Sequence, residues 1–140
     1  MSNIYGTNTA LSANANGAAN ATYTSLGVID FGTSPPHECF IEIVVAASAS
    51  TSGNKQAVVY LRSSVDGTNF SITPSSTDAI NSKWIGTLSL PDSTSRRSVA
   101  FPVSPQFGGA LPQKIEVFIF NDCGVSFTTA TGQYRTEIFG

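Results

Sequence analysis

The sequence predicts an all-β protein: an antiparallel β-sandwich, jelly-roll-like in topology, with an extended N-terminal arm. Three observations carry this. Apolar residues recur at every second position in several runs, most clearly in residues 39–47 and 114–120, which is the period of a strand. Clusters of Gly, Pro, Asn, Asp and Ser separate about eight such runs at roughly eight- to twelve-residue spacing, with no convincing helical period between them. Finally, the chain carries no charged residue before Asp30, and its first 22 residues are dominated by Asn, Ala, Thr, Ser and Gly.

The last observation divides the chain into an arm, 1–22, and a sandwich domain, 23–140. Ile4, Tyr5 and Leu11 are the sizeable apolar side chains of the arm, while Asn14, Asn16, Gly17 and Asn20 favour irregular backbone. Such a segment has little to fold upon by itself, so it is expected to order against another protein. In that arrangement Ile4, Tyr5 and Leu11 enter apolar pockets of the partner and the asparagines bond to its backbone.

The domain opens with a strand at 26–31, ended by Gly32 and by Pro35-Pro36, which cannot donate ladder hydrogen bonds. In 39–47, Cys39, Ile41, Ile43 and Val45 share one face and Phe40, Glu42, Val44 and Ala46 the other. Both faces are mostly apolar, as in a central strand covered on two sides. A strand at 57–65 runs into Asp66-Gly67-Thr68-Asn69, read as a type I′ hairpin turn leading to a strand at 70–73. Residues 74–80 are a loop, 84–90 and 98–103 strands, and 105–112, with Gly108-Gly109, a long loop. In 114–120, Ile115, Val117 and Ile119 oppose Phe118 and Phe120. After Asn121-Asp122-Cys123-Gly124, strands at 125–129 and 133–139 flank Thr131-Gly132, a second hairpin signal. The core is expected to include Ile41, Ile43, Val59, Leu61, Val117 and Ile119.

Length and composition narrow the function. A chain of 140 residues suits one domain. Its charged fraction is 11% against 41% hydrophobic residues, so Ser, Thr, Asn and Gly must cover much of the surface. A formal net charge of -2 offers little repulsion between copies, which favours self-association, with a homotrimer as the expected form. Nucleic acid is a poor partner, because the seven cations are scattered and only Arg96 and Arg97 are adjacent. No window has the length of a membrane span and no N-terminal stretch reads as a secretion signal, so assembly in the cytosol is expected. There Cys39 and Cys123 are reduced, core-lining thiols.

Catalysis finds no support. The single histidine, His37, sits at a loop edge, and no nucleophile elbow, metalloprotease, phosphate-loop or dinucleotide motif occurs. Glu38 and Glu42 share a strand face but stand roughly 13 Å apart, too far to act together, and Glu116 and Glu137 belong to other strands. Asp66, Asn69 and Asp122 are turn residues, and no metal or cofactor is expected. Trp84, Tyr60 and Tyr134 are rings of the kind that bind sugars, though each is in phase with apolar neighbours and reads as core.

The segment from Val58 through Tyr60, Arg62 and Asp66-Gly67-Thr68-Asn69 to Phe70 resembles the strand and hairpin of small β-sandwich structural proteins of tailed bacteriophages. Leu111-Pro112-Gln113-Lys114-Ile115, the strand ending at Asn121-Asp122 and the small-residue run 125–132 are similar to their closing half, so the resemblance spans about residues 55–139. It implies a non-enzymatic virion protein of the capsid decoration or cement type, trimeric, that grips the major capsid protein or other virion proteins through its arm and a sandwich edge. The arm is longer and less charged than that pattern suggests and also suits a head-fibre or tail component. A carbohydrate-binding adhesion module is the alternative.

Overall fold

In the computed structural model, which describes residues 3–73 and 82–139, the chain is an antiparallel β-sandwich. Its strands are β1 (Asn3–Tyr5), β2 (Thr9–Ala10), β3 (Tyr23–Asp30), β4 (Glu38–Ala47), β5 (Gln56–Ser64), β6 (Lys83–Ser89), β7 (Arg96–Arg97), β8 (Phe101–Pro102), β9 (Lys114–Asp122) and β10 (Phe127–Phe139). One sheet runs β1-β10-β4-β7, with β2 also on β10 and β8 on β4; the other runs β3-β9-β5-β6. Taking β1/β2 and β7/β8 each as one broken strand, the chain changes sheet at every connection except the β5–β6 pair, and the two four-membered sheets interleave as a jelly roll. The expected loop at 74–80 lies outside the described residues.

Strict alternation makes the core. Ile41, Ile43 and Val45 of β4, Val59 and Leu61 of β5, and Ile115, Val117 and Ile119 of β9 are all fully buried between the sheets, the six expected core positions among them. Apolar burial of this kind contributes on the order of 1.5–3 kcal/mol per large side chain, the main force holding the layers together.

Four local expectations are corrected. Thr131-Gly132 is no turn: β10 is one continuous strand paired with β4 from Phe127↔Ala47 to Glu137↔Glu38. Gly132 is there for space, since a Cβ would collide with Leu11 Cδ1 and would stand 3.0 Å from Ile43 Cδ1. The strand expected at 98–103 is split into β7 and β8; between them Ser98 donates its N–H to the Ile43 carbonyl (2.8 Å) and its Oγ accepts the Ile43 N–H (2.9 Å), holding the edge where regular pairing lapses. Residues 70–73 form no strand, although Ser71 N–H still reaches the Ser63 carbonyl at 2.9 Å. The turn before them is not type I′, because Gly67 takes positive φ and Asp66 does not. Instead Asp66 Oδ1 accepts the N–H groups of Thr68 and Asn69, each at 2.8 Å, and those bonds hold its carboxyl well below the usual carboxylate range.

The arm packs along this same domain. Residues 3–22 lie along the sandwich and supply the outer strand of the first sheet. Leu11 N–H bonds to the Gly132 carbonyl (2.9 Å), Ala15 to Ala130 (2.8 Å) and Gly17 to Phe127 (2.9 Å). The asparagines serve this domain's own backbone: Asn16 Oδ1 accepts from Ala130 N–H at 2.8 Å and Asn20 Oδ1 from Gly124 N–H at 2.9 Å. Leu11 and Ala15 are buried in the core. Small residues here are what allow the arm to lie close to β10.

Candidate functional site

The same alternation that fills the core leaves a second apolar layer facing outward on the β3-β9-β5-β6 sheet. Register places Tyr23, Phe120 and Val58 in one row across β3, β9 and β5, and Phe118, Tyr60 and Trp84 in the next across β9, β5 and β6. The rings of Tyr23 and Phe120 stack at 4.4 Å, and Tyr60 tilts against Tyr23 at 5.9 Å. Burial, with Tyr60 and Asp122 adding to it, pushes the Tyr23 phenol pKa up. Val58 and Phe118 are buried, yet they belong to this outer layer and not to the inter-sheet core. Trp84 is 55% exposed and Val28 43% exposed at its margins. The Trp84 indole is held along its own strand, Nε1 donating to Thr87 Oγ1 at 3.1 Å.

One end of this layer is closed by a polar clamp. Arg62 Nε donates to Glu116 Oε1 at 2.7 Å, and Ser25 Oγ donates to the other carboxylate oxygen at 2.6 Å. The Arg62 guanidinium lies 4.7 Å from the Phe70 ring centre and 5.7 Å from that of Phe118, so it packs as an aromatic neighbour as well as an ion.

The outer face of the other sheet is more polar. Arg97 pairs with Glu42, which also accepts from Gln133 Nε2 at 2.7 Å. Beside them Arg135 stacks over Tyr5 at 4.5 Å and Phe40 at 6.0 Å. Asn8, Phe40, Glu42, Arg97, Gln133 and Arg135 border an open depression of about 330 Å³.

Of the three residues assigned to partner binding, Ile4 and Tyr5 on β1 are 49% and 57% exposed, beside exposed Ile138. Leu11 differs from them: it is buried in this chain's own core against Gly132. Trp84 and Tyr60, read as core, lie on the outer face: Tyr60 alternates with the buried Val59 and Leu61, and the register shift between Val59 and Tyr60 sets Trp84 opposite it. Tyr134 does pack against the core. The outer aromatic layer was visible in the sequence as the second apolar face of 114–120, but which sheet it covered was not.

Glu137 and Glu38 are register partners on β10 and β4, whereas Glu116 is on the other sheet. Glu38 is saturated by the N–H groups of Cys39, Val103 and Ser104 and by Ser104 Oγ, and Glu137 lies 3.5 Å from His37 Nε2. Among the described residues no cluster of three or more His, Cys, Asp or Glu is placed to hold a metal ion, and no helix is long and apolar enough to cross a membrane.

With the geometry in view, the class of protein is that of antiparallel jelly-roll β-sandwiches. No protein-family model and no curated protein matches the chain by sequence. In fold it is similar to a chain in the structure of infectious bursal disease virus Gx strain, with a TM-score of 0.55 and 12% identity over 99% of this chain. This chain spans 32% of the length of that one. At that identity the likeness is one of fold.

Proposed function

We propose that the chain is a non-enzymatic structural subunit of a virus particle, one that binds the shell and reinforces it in the manner of a decoration or cement protein. The observation that carries this reading is the partly exposed aromatic layer on the β3-β9-β5-β6 sheet. A protein of low charge that leaves Trp84 and Val28 at the margin of stacked rings has a surface suited to burial against another protein. Exposed Ile4, Tyr5 and Ile138 add a second contact at the β1 edge. The jelly-roll fold, shared with a chain of a virus structure, supports a virion setting; assembly in the host cytoplasm is part of the proposal. The partners in this reading are the major capsid protein or other virion proteins, and the low charge supports a homotrimer.

Cosedimentation with particles of the virus that encodes the chain tests this. The double variant Trp84→Ser, Val28→Ser should keep its melting temperature within a few degrees and lose at least tenfold in affinity for particles. Unchanged affinity would remove this face from the docking surface. Light scattering tests the trimer. A second reading, a carbohydrate-binding adhesion module, is favoured by the exposed Trp84 next to Tyr60; glycan binding that Trp84→Ser abolishes, without any particle binding, would replace the first.

A further inference from the structure

The depression on the opposite sheet has a feature that shell docking does not use. Arg135 makes no ion pair or side-chain hydrogen bond among the described residues, and its Nε is buried without a hydrogen-bond partner. A guanidinium held over rings interacts through its faces, which leaves its in-plane donors uncommitted, and those donors form the fork that matches a carboxylate. Tyr5 and Phe40 supply those stacking rings. No carboxylate is within ion-pair distance of it among the described residues: Glu42 pairs with Arg97, Glu38 accepts from the Val103–Ser104 backbone and Glu137 lies by His37. The charged residues that line the depression, Arg97, Glu42 and Arg135, carry one positive charge in excess.

We propose that this depression binds a carboxylate-bearing sugar, with Arg135 receiving the carboxylate. Phe40 offers an apolar surface for the ring, and Asn8, Gln133 and Glu42 offer the mixed donors and acceptors that hydroxyl groups require. A protein carboxylate would leave those hydroxyl partners idle, which is why a sugar is favoured over an acidic peptide. The volume, about 330 Å³, is that of a small-ligand site. The site lies on the other sheet from the aromatic docking face and shares with shell docking only Tyr5 of the second contact, so Arg135 variants test the sugar site apart from the aromatic face.

The test is ligand-observed NMR on the full chain with D-glucuronate, D-glucose and a short glutamate-containing peptide. Glucuronate should bind, and glucose at least tenfold more weakly. Arg135→Gln should weaken glucuronate at least tenfold, and Arg135→Lys, which keeps the charge but not the fork, should also weaken it. Should Arg135→Gln fail to fold, Tyr5→Ser, at an exposed position, removes one stacking ring and is expected to weaken glucuronate several-fold. No glucuronate signal, equal binding of glucose, or the peptide binding as well as glucuronate would each overturn the proposal. Particle binding by Arg135→Gln should be unchanged.

Discussion

Gly132 and Leu11 share one packing site, and each explains the other. The glycine removes a side chain from β10 where the leucine of the arm enters the core, so a residue type that usually marks a turn here marks a close approach. Leu11→Ala should cost about 2–5 kcal/mol, the range for truncating a buried leucine, read from the midpoint of urea unfolding. Gly132→Val should also destabilise, by about 1–3 kcal/mol from overpacking, and Leu11→Ala should partly rescue it. An unchanged midpoint for Leu11→Ala would mean that the arm is detached in solution. Asp66 is the second informative residue. Its folded pKa is depressed by the bonds from Asn69 and Thr68, so its contribution to stability is present above the unfolded value of about 4 and is lost as pH falls through the lower folded value. Asp66→Asn keeps the turn acceptor but not the charge. Its deficit in melting temperature should therefore be largest near neutral pH and shrink in acid; a deficit constant with pH would assign the turn to shape alone.

At the scale of elements, the arm is the one most altered by folding. Its polarity suggests a free tether, yet its hydrogen bonds to Gly132, Ala130 and Phe127 make it a member of the first sheet. Removing residues 1–17 should strip the outer edge of β10, expose unpaired backbone groups, and give a chain that melts much lower or aggregates. Removing only 1–6 takes away β1, whose Ile4 and Tyr5 are exposed, and should change the melting temperature little. If the 1–17 deletion melts like the full chain, the arm is a tether after all. The split edge of β7 and β8 is a smaller instance of the same rule: a serine side chain stands in for ladder bonds where the strand lapses.

Across the whole molecule, strand order decides which residues meet. Cys39 begins β4 opposite Thr136, whereas Cys123 precedes Phe127, which faces Ala47 at the other end of β4. The two cysteines therefore sit at opposite ends of the sandwich, and both are free and buried. Burial, with Glu38 adding to it, pushes the Cys39 thiol up to about 12. Reductant should leave the melting temperature unchanged, and alkylation at neutral pH should require unfolding; a reductant-sensitive melt would reveal a bridge.

The alternating periods of 39–47 and 114–120 were enough to determine a two-layer β fold and to name its core, because alternation is a local consequence of strand geometry and needs no knowledge of neighbours. The same reading could tell that 114–120 had a second apolar face, but not that Tyr23, Tyr60 and Trp84 would join it, since that depends on register across strands distant in sequence. Nor could it place Leu11 against Gly132, or Arg135 between Tyr5 and Phe40. Those pairings are separated by most of the chain, and only the closing of β10 between the arm and β4 brings them together.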